Sequence, residues 1–432
     1  MTDFHGLRLD LRSRLGNPLR CAAAAVLVAA AGCSGDDVAP QAPVPQAAIQ
    51  APVELDVPAG PGSGQARLSG GPDGPLVLSW LEPAGDGMAA LRFSVLGGDG
   101  WGEPRTVVTG DDLVVNWADF PSVVPITSDV LIAHWLRAAP DSFEAYDIAY
   151  ATSGDGGRTF VEHGLLNDDG ALTEHGFVSL FPWDGAIGAI WLDGRRLAEL
   201  FESGDFDPDG PPVGMSLRFA KIAYDGTVGT RGEIDELVCD CCTTGATLAG
   251  AAPVIVYRDR SPEEIRDIAV RRYAGAEWSD PVVLGPDGWR IEGCPVNGPA
   301  IAADGETVVA AWFTAPDGRP RVRAARSTDG GRTFGAALDV DLDGSFGYVD
   351  VALLDGGDAL VSWWRRGAQG EIELALRRIG ADGTLGEPRA VATAAVAQPV
   401  DVPQLAIAGD AAIVAWTDPT DERVRTMRVP LR

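Results

Sequence analysis

Lysine is almost missing from this chain of 432 residues: Lys221 is the only one, so nearly all positive charge is arginine. Histidine, methionine and cysteine are also scarce, at 4, 4 and 6 residues, so any site built from them must sit at a few identifiable positions. Long stretches with helical periodicity are lacking, which argues against a helix bundle. No apolar run reaches the roughly 20 residues that a membrane-spanning helix needs; the longest covers residues 21–31. Basic charge is outnumbered, with 34 Lys and Arg against 62 Asp and Glu and a formal net charge of -28. Such an acidic surface speaks against nucleic-acid binding, which needs a basic footprint on the phosphates, and against adsorption to anionic lipid.

Glycine and proline, by contrast, are plentiful, at 54 and 31 residues. They fit many short strands joined by turns. Seven apolar runs end at or beside a large aromatic, at Trp80, Trp135, Trp191, Tyr257, Trp312, Trp363 and Trp416, with spacings of 55, 56, 66, 55, 51 and 53 residues. A fixed period of this size marks a repeat architecture. Each period holds four short strands, named A to D here; in the fifth they fall at residues 299–303, 307–312 and 321–326 and from 336 onward. Four-stranded antiparallel blades set radially make a β-propeller, with only short protected edges. Seven blades are counted, with six as the alternative because the 66-residue interval is irregular. The last period lacks a D strand, and the alternating segment at residues 53–57 is expected to supply it and close the ring.

One eight-residue pattern occurs twice, Ser153-Gly-Asp-Gly-Gly-Arg-Thr-Phe160 and Ser327-Thr-Asp-Gly-Gly-Arg-Thr-Phe334, each after a strand-like run. The Asp can accept hydrogen bonds from the turn's own N–H groups, and the Gly pair supplies positive φ. The Phe can wedge against a neighbouring unit. Eroded copies stand at Gly97-Gly-Asp-Gly-Trp101, Tyr224-Asp-Gly-Thr227 and Ala381-Asp-Gly-Thr384. Both full copies match the Asp-box S-x-D-x-G-x-T-F/W, so the chain resembles the sialidase-like Asp-box (BNR) β-propellers. In that family the box is a structural turn away from the active site.

The N-terminus reads as a targeting segment. Arg8, Arg12, Arg14 and Arg20 precede the apolar run, and Ala30-Ala-Gly-Cys33 follows. That order is the order of a secretory signal, and its end resembles the bacterial lipobox, whose Cys, here Cys33, is lipidated. The expected organisation is a lipoprotein signal over residues 1–32, a flexible Ala/Pro/Gln-rich tether over 33–52 and a propeller over 53–432. The expected location is exported and lipid-anchored, with the outer membrane favoured, as a monomer that meets the membrane only through its anchor. Removal of residues 1–32 takes away four Arg and two Asp, leaving -28 - 2 = -30.

In a propeller, the loops entering A strands and leaving B strands gather at one end of the central channel. They bring together Asn116-Trp-Ala-Asp119, Thr173-Glu-His175, Cys239-Asp-Cys-Cys242, Cys294-Pro-Val-Asn297, Tyr348-Val-Asp350, Asp401, Asp193-Gly-Arg-Arg196, Arg258-Asp-Arg260 and Trp364-Arg-Arg366. Three readings compete. The sialidase resemblance implies an arginine clamp on a substrate carboxylate, a Tyr nucleophile and an Asp acid/base. It thereby nominates Arg195, Arg258, Arg260 and Arg365 for the clamp, Tyr348 as nucleophile and Asp119 as acid/base, with Glu174 or Glu292 beside Tyr348, and an anionic glycan or related small acidic molecule as ligand. Guanidinium suits such a clamp because it pairs with carboxylate bidentately. Trp117, His175, Asp193, Asp259, Asn297, Asp350 and Trp364 are the accompanying ligand-binding candidates. The family's early F-R-I-P element is missing from this chain. A sialidase-like site requires no cofactor.

The second reading is a soft-metal site, Cu or Zn, on Cys239, Cys241, Cys242 and Cys294 with His175. Against it stand disulfides, which an oxidising compartment favours and which are preferred here. The cluster is read as C-x-C-C rather than the familiar C-x-x-C. The third reading is a partner-binding face without catalysis. His134 is expected to be a core residue with a satisfied hydrogen bond, and His163 an exposed turn residue. Trp117 and Trp364 are expected to be the two tryptophans free of interblade packing.

Overall fold

The computed structural model describes residues 51–70, 75–140, 142, 145–207, 210–342, 344–394 and 401–431. The expected signal peptide, the lipidation site Cys33 and nearly all of the tether lie outside the described residues. Every described strand belongs to the unit from residue 46 onward.

Seven antiparallel sheets succeed one another along the chain, so the count of seven holds and the alternative of six falls. Their innermost strands are Gly64–Gly70, Ser122–Pro125, His175–Trp183, Gly245–Ala249, Ala300–Asp304, Ser345–Leu353 and Gln404–Ala408. Each is followed outward by its B and C strands. The seventh blade is completed by Val53–Leu55, which pairs with Arg423–Pro430 in the register Val53↔Arg428, Glu54↔Met427 and Leu55↔Thr426. The ring therefore closes as expected. The long third interval is an insertion after a B strand: helix Arg195–Ser203 and the segment behind it lie between Ala186–Asp193 and Ser216–Ile222.

The periodic aromatics explain why the sheets stack. Trp80, Trp135, Trp191, Tyr257, Trp312, Trp363 and Trp416 are all essentially buried. Each lies on a B strand whose Val, Ile and Ala neighbours fill the space between adjacent sheets, as Val77, Leu91 and Phe93 of the first blade do against Leu131, Ala133 and Trp135 of the second. Burying apolar surface on both faces of every blade, at about 25 cal/mol per Å2, is the main force holding the ring together.

The Asp-boxes perform the mechanical role expected of them. In the first, Asp155 accepts the Thr159 backbone N–H at 3.0 Å, the Thr159 hydroxyl at 2.7 Å and the Ser153 hydroxyl at 2.8 Å. In the second, Asp329 accepts the equivalent bonds from Thr333 and Ser327 at 2.9, 2.6 and 2.7 Å. Phe160 meets Phe93 of the preceding blade edge-to-face, with centroids 5.8 Å apart. Two other expectations need correction. His163 is not an exposed turn residue: it sits in Val161–Leu165, half-buried, with Nε2 2.7 Å from the Thr152 hydroxyl and its ring under Gly226. Trp364 is not free of the core: it lies within Ala359–Arg366, 2% exposed, packed between the sixth and seventh blades.

Candidate functional site

The loops that enter A strands and leave B strands meet at one end of the ring, as the topology requires. Trp117, from the loop into the second blade, places its ring edge-on to Tyr348 of the sixth blade, with centroids 6.3 Å apart. These two blades are not neighbours, so the contact bridges the axial mouth. Trp117 keeps 47% of its surface exposed there.

Several candidates turn out to bind blade to blade. Asp119 is 1% exposed, and its Oδ1 accepts the backbone N–H of Phe177 in the next blade at 2.8 Å. Asn297 repeats the device further round the ring: its Oδ1 accepts the N–H of Tyr348 at 2.6 Å. In both cases the residue that donates its N–H has positive φ, 53° for Phe177 and 55° for Tyr348, and follows a glycine. The glycine is obligatory by sterics. A Cβ on Gly176 would stand 1.8 Å from Asp119 Oδ2, and one on Gly347 would stand 2.1 Å from Asn297 Oδ1. Asp350 does the same work for the seventh blade, accepting the N–H of Leu405 at 2.7 Å, while Asp401 accepts that of Thr417. Burial raises the pKa of Asp119 and of Asp401 to about 7 and that of Asp350 to about 6, against the pull of these backbone donors.

The arginines nominated for a clamp each hold partners of their own. Arg258 is 2% exposed and gives its guanidinium to backbone carbonyls: Asn297 at 2.8 and 3.0 Å, Arg266 at 2.6 Å and Phe313 at 2.7 Å. Arg195 pairs with Asp193 at 2.7 Å and Asp168 at 3.2 Å. Arg260 pairs with Glu264 at 2.7 Å and Asp240 at 2.9 Å, and Arg365 with Glu373 at 2.9 Å. Asp193 also accepts the indole N–H of Trp191 at 2.8 Å. Asp259 accepts the N–H of Arg260 at 2.9 Å, and burial raises its pKa to about 6. Tyr348 is half-buried; burial first and Cys242 second raise its pKa. Glu292 lies on the surface beside Arg290 at 3.1 Å, and Glu174 faces Asp119 and Tyr146.

His175 does not join the cysteines. It is fully buried at the start of the third blade, with Nε2 3.0 Å from Asp169 and Nδ1 3.2 Å from the Tyr146 carbonyl. Asp193 stands 3.9 Å and Asp147 3.6 Å away. Burial opposes charging the ring, but Asp169 and Asp193 prevail and raise its pKa. The group Asp169, His175 and Asp193 is compact enough to hold a cation, but Arg195, paired with Asp193, already offsets its charge.

The thiols do converge. Cys239, Cys241 and Cys242 lie on the segment joining the third blade to the fourth, pinned by the Val238 N–H to Met215 (2.9 Å) and the Cys239 N–H to Arg258 (3.0 Å). Cys239 Sγ is 3.3 Å from Cys242 Sγ and 3.9 Å from Cys241 Sγ, and all three sulfurs lie within 4.8 Å of one another. Cys294, on the loop into the fifth blade, is exposed and interacts with the Cys241 thiol. No S–S bond joins any of the four in this structure. The pair in closest contact corrects the spacing: Cys239 and Cys242 are themselves a C-x-x-C, which the intervening Cys241 disguised. Arg266 donates to Cys239 Sγ at 3.2 Å. Hydrogen bonds from Cys241 and Cys242, followed by Arg258 and Arg266, hold the Cys239 thiol well below the usual range, while burial pushes Cys242 up.

Sequence reasoning missed Arg266 and Arg67. Arg266 lies outside the loops that the blade pattern selects. Arg67 projects from the innermost strand of the first blade into the axial channel and is the only basic residue among the described residues lining it.

No family model matches this sequence, and no curated protein matches it. Among solved structures, the chain is similar to polysaccharide lyase Uly1, at 10% identity and a TM-score of 0.47, over 88% of this chain and 99% of that one. It is similar to the GH93 alpha-L-arabinofuranosidase of Fusarium graminearum, at 14% identity and a TM-score of 0.43, over 88% and 97%. It is also similar to the Hadza microbial sialidase Hz136, at 15% identity and a TM-score of 0.43, over 70% and 63%. The chain is a seven-bladed β-propeller on the strength of its own sheet topology.

Proposed function

We propose that this protein binds a soft metal ion, Cu(I) or Zn(II), through Cys239, Cys241 and Cys242, with Cys294 as a further thiol on the open side. The observation that carries this reading is the mutual approach of three thiols from one short segment. A tetrahedral thiolate site with metal–sulfur bonds of about 2.3 Å has sulfurs about 3.8 Å apart; the separations here are 3.3 and 3.9 Å. Thiolates select Cu(I) and Zn over harder ions. Arg258 and Arg266 stand by to offset their negative charge. In the same reading the chain is exported and anchored through Cys33. Bare thiols this close together would oxidise in such a compartment, and a bound metal would protect them.

The test is elemental analysis with a thiol titration on the full-length protein purified without chelator. One equivalent of Cu or Zn, lost in Cys239→Ser, with thiols reactive only after metal removal, is the expected result. A metal-free protein whose Cys239 and Cys242 are joined covalently would end the proposal.

A second reading, binding and hydrolysis of an acidic glycan, draws on Trp117 and Tyr348. An exposed indole edge-on to a tyrosine at a concave mouth is a surface on which a sugar ring can stack. Release of a fluorophore from a sialoside, abolished in Tyr348→Phe, would support it. No release from any acidic glycoside would dismiss it.

A further inference from the structure

The register of the seven blades defines a ring of equivalent positions around the axis. In every blade one residue of the innermost strand pairs with the residue just before the periodic aromatic. These pairs are Arg67↔Ser79, Ser122↔His134, Ser179↔Ile190, Gly245↔Val256, Ala300↔Ala311, Asp350↔Ser362 and Gln404↔Ala415. Below this ring the seven innermost strands enclose a cavity of about 790 Å3, within the usual range for a small-molecule site. It extends toward the A–B turns at Gly250, Gly305 and Asp355, the opposite end of the channel from the thiols.

Arg67 stands at its inner end. An arginine carries five N–H donors, and those of Arg67 open onto the cavity. Among the described residues Arg67 makes no hydrogen bond and no ion pair, unlike Arg258, Arg260, Arg195 and Arg365. The carboxyls that face it, Asp119 and Asp350, direct their oxygens to backbone amides instead: Asp119 to Phe177, Asp350 to Val351 at 2.8 Å and to Leu405 at 2.7 Å. The third titratable neighbour, His134, is a neutral core residue held by the Ser122 hydroxyl at 2.9 Å. Beyond Arg67 the walls mix polar side chains, among them Ser69, Thr244, Thr247 and Gln404, with the edges of aliphatic residues that pack in the blade seams. Val124, Leu180, Leu248, Ile301, Leu353 and Ile407, one from each of six successive blades, all line the cavity and are partly accessible.

A guanidinium with open donors at the inner end of a cavity whose walls are partly aliphatic suits a carboxylate that carries an apolar body. We propose that the axial cavity binds a monocarboxylate with an apolar body, its carboxylate on Arg67 and its hydrocarbon along that aliphatic belt. Bidentate pairing satisfies donors that the protein leaves open, and burial of the chain adds about 0.8 kcal/mol per CH2. Two exposed acids at the far rim, Asp304 and Asp355, disfavour dianions. This site is independent of the metal reading.

The experiment is calorimetry on the full-length protein with octanoate, octanol, acetate and sulfate. Octanoate is expected to bind, with octanol, acetate and sulfate at least 10-fold weaker. Arg67→Gln is expected to weaken octanoate binding by about 10- to 100-fold and to leave metal content and thiol titration unchanged. Thr247→Trp, which narrows the cavity and spares Arg67, decides the matter if Arg67→Gln does not fold: it too is expected to abolish binding. No binding of octanoate, equal binding of sulfate, or folded variants that bind like the parent would overturn the proposal.

Discussion

Asp119 reaches across the seam between the second and third blades to accept the backbone N–H of Phe177 at 2.8 Å, through a gap that only the glycine at position 176 leaves open. Its carboxyl is thereby a structural tie. Gly176→Ala should cost about 3 kcal/mol or more, because the new methyl overlaps a carboxylate oxygen in a packed seam. Gly64→Ala, in the first blade, meets nothing nearer than 3.6 Å and should be far milder. Thermal denaturation of the two variants makes the comparison.

The same buried acids set the pH dependence of stability. Folded pKa values of about 7 for Asp119 and Asp401 and about 6 for Asp350 lie above the unfolded value near 3.9. Folding therefore favours their neutral forms. That contribution is complete below about pH 4 and disappears as the pH climbs through 6 and 7. Calorimetry should find the melting temperature falling over this interval, and Asp119→Asn with Asp401→Asn should flatten the fall. A melting temperature that rises from pH 5 to 8 would contradict this assignment.

Arg258 should be irreplaceable for folding. Truncation to Ala strands three carbonyls in a dry seam and removes the cation 5.0 Å from the Trp289 ring. The expected loss is about 3–5 kcal/mol. Urea unfolding of Arg258→Ala beside the exposed pair variant Arg290→Ala checks this, since the latter should change stability by less than about 1 kcal/mol.

The Asp-box glycines should differ within one turn. A Cβ on Gly157 would press within 2.7 Å of the Phe93 ring, whereas one on Gly156 approaches only the Ser128 carbonyl at 3.6 Å. Both have positive φ, 78° and 74°. Gly156→Ala should show only the conformational penalty of about 1 kcal/mol, and Gly157→Ala that penalty plus a packing clash. Differential scanning calorimetry of the two variants separates these costs, and neither should alter metal content.

The features legible in the sequence were local ones. The Asp-box turn is made by Ser, Asp and Thr within eight residues, so its hydrogen bonds can be read from the string itself. The aromatic period is likewise a property of each B strand alone. Roles set by tertiary partners were not legible. Asp119 and Asn297 look like site residues until Phe177 and Tyr348 are found on their oxygens. Arg258 looks like a ligand until the Asn297 and Phe313 carbonyls surround it. Trp364 follows Trp363 directly and its strand continues past it, so the loop expected there is absent. Arg67 gave no signal at all, because an isolated arginine in an alternating strand reads as a solvent-facing residue.

Closing the seventh blade with Val53–Leu55 makes the earliest described strand the partner of one of the last. Glu54 opposes Met427, so this pairing cannot begin until synthesis has passed Met427, after the other strands of all seven blades. Until then six blades can accumulate one after another while the seventh waits half-built. Joining two ends so far apart along the polymer carries a loop-closure cost and favours slow final assembly. The segment that threads into place last is thus made before every other described strand, and a nascent chain stalled before Arg423 would leave it without a seat.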